Sequence, residues 1–322
     1  MKSLSHLTDY YYKVLYPTLK KLEKERLQLR YRIILLGSGL GLFFLFLSIA
    51  MNKSFFLGPE FFIFLAFAFG GSGALVYVFL TKGYTHAFKD SIIHPLIKEL
   101  DERLNYIHLH HVAQHLFERS KLFPGEIDRM SGNDYVSGEI DGVKIEFSDI
   151  HTERRHKDSK GKESWSTVFR GLFIVADFNK NFYGTTVVLP DQAQKTFGDL
   201  VGGWLQSKNI VHGELIKLDD IEFEKKFVVY GSDQIEARYI LTHSLMKRIT
   251  TLQIKTKHPL YISFVGHSIH IAIEYNKDLF EPTIFSSLLD YKTAMEYLQT
   301  LHLAIGIIEE LKLNQKLWSK HG

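Results

Sequence analysis

YRIILLGSGLGLFFLFLSIAM (Tyr31–Met51) and FFIFLAFAFGGSGALVYVFL (Phe61–Leu80) are the two stretches that decide the architecture of this chain. A helix needs about 20 apolar residues to cross the hydrocarbon core of a bilayer, and each stretch reaches that length. The first contains no charged residue after Arg32, and the second contains none. Because a charge at mid-bilayer costs about 3 kcal/mol, the stretches predict two membrane-spanning helices joined as a tight hairpin.

Two other interpretations of these stretches fit the sequence less well. Core helices of a soluble protein rarely stay apolar on every side over such a length. A cleaved signal peptide has an apolar region of about 7–15 residues, shorter than either stretch, and it lies close to the N-terminus. The transmembrane hairpin is therefore the preferred prediction.

Basic residues set the predicted orientation of the hairpin. Lys53 and Glu60 are the charged residues of the connecting loop, residues 52–60, whereas basic residues cluster on the other side of the two stretches. By the positive-inside rule, both termini face the cytoplasm, and the loop faces outward. The basic residues before the first stretch are Lys20, Lys21, Lys24, Arg26, Arg30 and Arg32, and those after the second are Lys82 and Lys89.

Glycines recur inside both stretches and have two possible explanations. They are Gly37, Gly39 and Gly41 in the first stretch and Gly70, Gly71 and Gly73 in the second. A phosphate-binding loop would need a preceding strand, a Lys-Ser/Thr ending and access to water, and none of these is present. Small residues instead let helices approach closely, so we predict packing between the two spans or between two protomers.

The patterning of the whole chain predicts an α+β fold. It comprises an N-terminal transmembrane helical hairpin with a helical stalk, followed by a mainly antiparallel sheet with packed helices. The predicted segments are an amphipathic helix over 1–30, the hairpin over 31–80 (spans 31–51 and 61–80), the stalk over 84–120, a cytoplasmic α+β domain over 126–283 and a C-terminal helix over 284–318.

Local signals place elements within that domain. Asp141-Gly142 and Gly266-His267 each lie between strand-like runs and predict β-hairpins. Helices are predicted over Tyr84–Arg119 and Gln192–Gln206, and Pro17 is expected to break or begin a helix. Ser232 or Asp233 is expected to cap a helix that carries Ile235, Tyr239, Leu245, Met246 and Ile249 toward the core.

Two long motifs carry a resemblance to a known family. FRGLFIVADFNKNFYGTTVVLPD (Phe169–Asp191) and FVVYGSDQIEARYILTHSLMKRI (Phe227–Ile249) resemble a bacterial two-span membrane protein family of unknown function, domain of unknown function 3137, sometimes labelled galanin-like. The paired N-terminal spans match that family as well. The resemblance implies a two-span anchor in a bacterial inner membrane and a cytoplasmic domain, and it supplies no catalytic or binding residue.

The densest polar cluster, Asp177, Asn179, Lys180 and Asn181, follows a predicted strand. Carboxylate, amide and ammonium groups at a strand end can bind a small ligand, which makes these residues the candidate ligand site. The alternative is a turn in which Asp and Asn side chains bond their own backbone. No histidine or serine lies at a diagnostic spacing beside the cluster, so a nucleophilic site is not predicted.

Four closely spaced histidines, His108, His110, His111 and His115, lie near the end of the predicted stalk. His111 and His115 are spaced i, i+4, as two zinc ligands on one helix would be. The intervening residues do not form HExxH, and a solvated polar face explains the histidines without a metal. We therefore predict no metal site and no cofactor.

The segment 151–164, HTERRHKDSKGKES, is a polar, mainly basic insertion. Near a bilayer, each basic residue gains about 1 kcal/mol from anionic headgroups, so these residues are lipid-headgroup candidates. An exposed hairpin loop facing away from the membrane is the alternative. The five basic residues are Arg154, Arg155, Lys157, Lys160 and Lys162.

These features favour a membrane-anchored cytoplasmic binding or scaffold module. The alternative is a membrane-associated enzyme with a pocket near Asp177, Asn179 and Lys180, although no catalytic constellation is recognisable. A transporter is disfavoured because the interiors of the spans carry no ionisable residue. The expected partners are the lipid bilayer and a protein partner or second copy. Nucleic acid is not expected, since a net charge of +3 indicates no strongly basic domain.

Overall fold

The computed structural model describes residues 4–55, 58–178, 180–191, 213–311 and 313. The chain divides into two compact units, one spanning Lys2–Leu96 and Phe280–Leu298 and the other Ile97–Leu279 and Gln299–Gly322. The long apolar helices belong to the first, the helical unit, and the sheet belongs to the second, the sheet unit. This combination confirms the predicted α+β class.

Two long helices dominate the helical unit. The two helices contact each other through Phe44 and Phe69, whose ring centroids are 5.8 Å apart. Gly41 faces the same Phe69 side chain. In chain order, the helices from the N-terminus are α1 (Leu4–Tyr10), a π-helical turn (Tyr11–Leu15), α2 (Tyr16–Phe55), α3 (Pro59–Phe88), a second π-helical turn (Lys89–Ile93) and α4 (His94–Leu100).

The apolar side chains of these helices remain on the outside of the fold. Two helical stretches, His6–Met51 and Pro59–Leu100, are long and apolar enough to cross a membrane. Their most apolar windows have mean hydropathies of 2.4 and 2.1, yet only 0% and 6% of those windows is buried. Core helices of a soluble protein would be mostly buried, so this exposure argues against that alternative.

Both π-helical turns end two residues before a proline. Tyr16 N–H donates to Tyr11 O, and His94 N–H donates to Lys89 O, each spanning five residues. Pro17 and Pro95 lack an N–H, and a proline ring clashes with the carbonyl four residues earlier. A wider turn relieves that clash. The break expected at Pro17 is therefore a local widening, and the helix continues on both sides.

The sheet unit contains an antiparallel sheet of nine strands among the described residues. They are β1 (Asn105–Ile107), β2 (Arg129–Ile140), β3 (Val143–Lys157), β4 (Glu163–Asp177), β5 (Thr185–Pro190), β6 (Glu214–Leu215), β7 (Phe227–Gly231), β8 (Leu260–Val265) and β9 (Ser268–Glu274). Their order is β1-β2-β3-β4-β9-β8-β5-β7-β6, and every neighbouring pair is antiparallel. Strands β8 and β9 are buried along nearly their whole length, so the core lies around the centre of this sheet.

Both predicted tight hairpins are confirmed. Ile140 pairs with Val143 across the turn, and Asp141 and Gly142 have φ angles of 51° and 82°. Positive φ at both central residues is the requirement of a type I′ turn, which Asp-Gly meets at little cost. Across the second turn Val265 pairs with Ser268, and Gly266 has a φ of 62°.

The predicted stalk is wrong beyond Leu100. The helix ends there, and Asn105–Ile107 forms the edge strand β1, which pairs with Tyr135–Ser137 of β2. A helix resumes only at α5 (Gln114–Arg119). Ile107, one of the periodic apolar residues, is 52% exposed in β1. Pairing with a distant strand therefore decides its conformation, which local periodicity does not reveal.

The helix expected after Asp233 is two helices. Asp233 caps the first as predicted, but Ile235 and Tyr239 are 81% and 54% exposed, so their predicted core positions are wrong. Thr242 caps a second helix that begins anew, which resets the helical phase. Ala237 and Ile240 face the core instead. The helices of this region are α6 (Ile221–Glu224), α7 (Gln234–Ile240) and α8 (His243–Thr256), in which Leu245, Met246 and Ile249 are buried as expected.

The C-terminal helix begins later than predicted. Helix α9 covers Tyr291–Leu311, whereas a start at Ile284 was expected. The backbone before it bonds to side chains of α2: Ile284 O accepts from Arg26, and Leu288 N–H donates to Glu23 at 2.9 Å. These bonds replace those of a first helical turn. The end predicted at residue 318 and the helix predicted over Gln192–Gln206 lie outside the described residues.

Candidate binding groove on the sheet

Two cross-strand rows of side chains lie together at one end of the sheet. Residues directly opposite each other in antiparallel strands share a face, as do residues two positions apart along one strand. Both rows therefore lie on the same face. Read across the strands, the rows are Ser137–Glu146–Val175–His270 and the two pairs Glu139–Lys144 and Asp177–Ser268.

Helix α5 and all of these residues except His270 line a groove of about 720 Å³. Leu116 and Arg119 of α5 form one wall. The floor is buried, and on this face it is formed by the side chains of Val175 and Ser268. Ile145 and Ala176 also line the groove, but strand alternation directs their side chains to the opposite face. The rim is exposed and charged or ionisable, and it consists of Arg119, Glu139, Lys144 and His267. The groove thus combines an apolar part, supplied by Val175 and Leu116, with rim charges of both signs.

The charged groups of the groove differ in how they are held. Tyr135 donates its hydroxyl to Glu146 Oε2 at 3.0 Å, and burial together with that carboxylate raises the pKa of Tyr135. Within the described part of the chain, the Arg119 guanidinium and the Lys144 ammonium form no hydrogen bond or ion pair. Two cations at the rim are consequently available to a ligand.

A buried serine–histidine pair lies behind the groove. His270 pairs across the strands with Ser263, and both side chains are 0% exposed. Burial lowers the pKa of His270 to about 3, and the nearby Arg119 and His267 act in the same direction. The ring is therefore neutral at physiological pH. With both residues closed to solvent, the pair does not form an accessible nucleophile and base.

The predicted polar cluster is only partly in this groove. Asp177 lines it, and Asn181 is exposed. Lys180 Nζ lies 3.4 Å from the Tyr239 ring centroid and 5.8 Å from that of Phe182. Burial lowers the pKa of Lys180, and the carboxylate of Glu236 opposes that change. Lys180 is thus held by aromatic faces. Asn179 lies outside the described residues.

The histidine candidates do not share a helix. His111 lies in the loop after β1, and its Nδ1 is 2.8 Å from Val112 O, whereas His115 lies in α5. The i, i+4 geometry expected of them is therefore absent, because the stalk helix ends before both residues.

The basic insertion is not a loop over most of its length. Arg154, Arg155 and Lys157 belong to β3, while Lys160 and Lys162 lie in the turn that leads to β4. Strand pairing continues to Lys157 and Glu163. The polar composition correctly indicated an exposed segment, but it gave no sign that most of the segment is β-strand.

Buried acids lie in the middle of β2 and β3. Asp149 is 3% exposed, and its Oδ2 accepts from Leu279 N–H at 2.6 Å. Burial raises the pKa of Asp149 to about 8, and the carboxylates of Asp278 and Asp134 add to that effect. Asp134 accepts from the Tyr106 hydroxyl. Asp149 is thus protonated in large part at neutral pH.

The sequence did not single out the groove residues other than Asp177. Arg119, Lys144 and His267 come from three separate elements, and only the strand order brings them together. One usable signal existed, since His267 lies in the predicted Gly266-His267 turn and Lys144 directly follows the Asp141-Gly142 hairpin. Both turns lie at the end of the sheet where the groove forms.

A comparison with protein-family models agrees with the family resemblance. Residues 167–313 match the model of a protein family of unknown function, DUF3137, which confirms a domain of that kind in this segment. No curated protein matches the sequence. Among solved structures, the chain is similar to the crystal structure of the mycobacterial trehalose monomycolate transport factor A, TtfA. The identity is 10%, the match covers 67% of this chain and 92% of that chain, and the TM-score is 0.33.

Proposed function

We propose that this chain is a membrane-anchored module that binds a protein segment in its groove, on the cytoplasmic side of a bacterial inner membrane. The two exposed apolar helices would serve as the anchor. Basic residues before the first span support an orientation with both termini in the cytoplasm. The single observation that carries the binding role is the groove, with its apolar part and charged rim.

The chemistry of the rim favours a polypeptide as the ligand. Arg119 and Lys144 are cationic, whereas Glu139 and Asp177 are anionic, and they surround the apolar part of the groove. A nucleic acid or a phosphate would require converging cations, and a metal would require converging carboxylates. An amphipathic protein segment supplies apolar side chains and charges of both signs, which match this surface.

The enzyme alternative has less support from the geometry. Asp177 lines an open groove, while Lys180 packs against Tyr239. Ser263 and His270 are fully buried, so a substrate does not reach them. General acid–base catalysis needs groups that converge on a reacting atom, and the described groove residues do not provide such a set.

A photo-crosslinking experiment tests the binding role. Benzoylphenylalanine replaces Lys144 in the full chain in its native membrane, and the matched control replaces Lys247, an exposed residue of α8. We expect one discrete adduct of defined stoichiometry from position 144 only, reduced about tenfold or more by Asp177→Lys. Equal adducts from both positions, or an adduct unaffected by Asp177→Lys, would contradict groove binding.

Cysteine labelling tests the orientation separately. The chain contains no cysteine, so Glu60→Cys in the connecting loop and Ser159→Cys in the sheet unit each introduce a unique thiol. A membrane-impermeant maleimide applied to intact spheroplasts should label position 60 and spare position 159 until the cells are lysed. The reverse pattern would place the sheet unit outside the cytoplasm.

A further inference from the structure

Strands β3 and β4 extend beyond the rest of the sheet as a two-stranded arm. Glu153–Lys157 pairs with Glu163–Thr167, whereas β9 pairs with β4 only from Gly171 onward. Every residue from Arg155 to Thr167 is exposed. We call residues 153–167 the basic arm. Glu153 still pairs with Arg129 of β2, but from Arg155 to Thr167 both faces of the arm are open to solvent. This part is able to meet a surface without first breaking internal packing.

The tip of the basic arm is held in a defined shape. Asp158 Oδ1 accepts from Lys160 N–H at 2.9 Å and from Lys162 N–H at 2.8 Å. Gly161 adopts a φ of 81°, and its N–H donates to Asp158 O at 3.0 Å. The turn therefore presents its lysines from an ordered backbone, which lowers the entropy lost on binding.

The carboxylates of the arm are already engaged. Glu153 accepts from Arg129 Nε at 2.7 Å, and Glu163 lies 3.2 Å from Arg155. Asp158 accepts from the backbone amides of the turn. Glu153 and Glu163 are thus paired with arginines, whereas Asp158 bonds only neutral amides, so its negative charge offsets one of the lysines.

The cations divide into engaged and available groups. Arg154 donates to Pro124 O at 2.6 Å and to Glu126 O at 3.0 Å, which holds it against the sheet unit. The ammonium groups at the tip have no hydrogen bond or ion pair with any residue that the structure describes. These are Lys157, Lys160 and Lys162.

An aromatic side chain accompanies these lysines. Trp165 is 44% exposed and lies opposite Arg155 in the strand pairing. The Arg129 guanidinium lies 4.6 Å from its ring centroid, which fixes the indole on the surface of the arm. Tryptophan is favoured at membrane interfaces because its ring is apolar and its N–H is polar.

We propose that the basic arm docks on the anionic headgroups of the bilayer through Lys157, Lys160 and Lys162, with Trp165 at the interface. The inference rests on the proposed anchor, because two spans in the same chain keep the arm at a high effective concentration near lipid. Each lysine near an anionic surface contributes about fivefold in affinity, and the Asp158 carboxylate offsets one of the three, so the net contribution is roughly 25-fold. The attraction decays within about 10 Å at 0.1 M salt.

The test uses the full chain in nanodiscs, with an environment-sensitive fluorophore on Ser159→Cys at the tip. The matched control carries the same label on Ser244→Cys, an exposed position of α8. Nanodiscs contain phosphatidylcholine alone or mixed with phosphatidylglycerol. We expect a blue shift at position 159 only, in the anionic discs only, and its loss at high salt. Incorporation into discs reports the anchor independently.

Charge variants decide whether the lysines carry the contact. Changing Lys157, Lys160 and Lys162 together to Gln should abolish the shift. The same change at three exposed lysines of the sheet unit outside the arm, Lys217, Lys247 and Lys257, should leave it intact. An equal signal in neutral and anionic discs, or a response to RNA or an acidic peptide with none to lipid, would overturn the proposal. Neither outcome would affect the groove, which the Lys144 crosslink tests.

Discussion

The two units differ in how closely glycines are packed and in how buried ionisable groups are stabilised. Gly37 and Gly70, in the apolar helices, have no neighbouring atom within 4 Å of the position where a Cβ would stand. At Gly171, in the sheet unit, a Cβ would overlap the Ile273 carbonyl oxygen. Arg26 in the helical unit is paired with Glu23, whereas Asp149 in the sheet unit is held by one backbone amide and keeps its proton.

This difference indicates what surrounds each unit. The sheet unit packs its strands so closely that backbone approaches backbone, and its buried ionisable groups become neutral. In the helical unit, the apolar side chains of the two long helices are exposed. The same unit has a buried ion pair, Arg26–Glu23, where α2 meets the segment before α9. Arg26 and Glu23 compensate each other's buried charge by pairing, whereas Asp149 avoids a buried charge by keeping its proton.

The largest effect is expected at Arg26. Its side chain is 3% exposed and donates to Glu23 and to Ile284 O. Arg26→Met leaves the buried carboxylate without its counter-charge, which should cost about 3–5 kcal/mol. Hydrogen exchange of the Leu288 amide, which donates to Glu23, measures the loss in the detergent-solubilised chain.

Lys13 provides the matched control for that substitution. Lys13 and Asp9 are 3.9 Å apart and more than 70% exposed, with values of 78% and 74%. Lys13→Met should cost less than about 1 kcal/mol. Similar losses at both positions would show that burial of the Arg26 pair has no energetic role.

Gly171→Ala should destabilise the sheet unit by about 3 kcal/mol. Gly171 has a φ of 150°, and an added Cβ would overlap Ile273 O and lie 2.8 Å from Tyr275 N. Backbone atoms are unable to move aside as a flexible side chain does, so β4 and β9 must separate locally. Urea unfolding followed by tryptophan fluorescence measures the change. An unchanged midpoint would mean that the β4–β9 contact is looser than described.

Local sequence signals predicted some elements of the two units correctly and others not. The spans and the two tight turns follow from local chemistry: uninterrupted apolar residues in one case, and positive φ at Asp141, Gly142 and Gly266 in the other. Asp233 was recognised as a cap for the same reason. Each of these signals acts within a few residues, so no knowledge of distant partners was needed.

The failures share a dependence on distant residues. Tyr84–Arg119 was expected to be helical throughout, but Asn105–Ile107 pairs with β2, about 30 positions later. Helix α9 starts late because Glu23 and Arg26 bind the backbone before it. The groove likewise gathers α5, β3 and the β8–β9 turn. In each case the deciding contact joins segments far apart in sequence, where periodicity carries no information.

Asp149 gives the sheet unit a defined pH dependence. Its pKa is raised from 3.8 to about 8 by burial, so between these values the folded state keeps a proton that the unfolded state has released. The free energy of unfolding should therefore fall as pH rises through this window, by at most about 1.4 kcal/mol per pH unit. Asp149→Asn retains an acceptor for Leu279 N–H and should remove this slope. Urea unfolding at pH 6 and pH 7 measures it.

His270 acts in the opposite direction and sharpens the test. Its pKa is lowered from 6.5 to about 3 by burial, so the unfolded state takes up a proton first as pH falls. The stability that the neutral ring provides is present above about pH 6.5 and is lost toward pH 3. His270→Gln should flatten the acid side of the profile and leave the Asp149 slope unchanged. A variant of either residue that altered both slopes would show that the two groups titrate together.

The smallest effect is expected at Gly70, and its sign is informative. The position lies in α3 with open space around it, so Gly70→Ala should be neutral or should stabilise the helix by about 0.5–1 kcal/mol. Chemical unfolding in detergent measures this change, with Gly41→Ala as the control, since Gly41 faces Phe69. A loss of more than about 1 kcal/mol at Gly70 would mean that a second copy packs on this face. Concentration-dependent stability would then accompany the loss, because association between copies adds a term that depends on protein concentration.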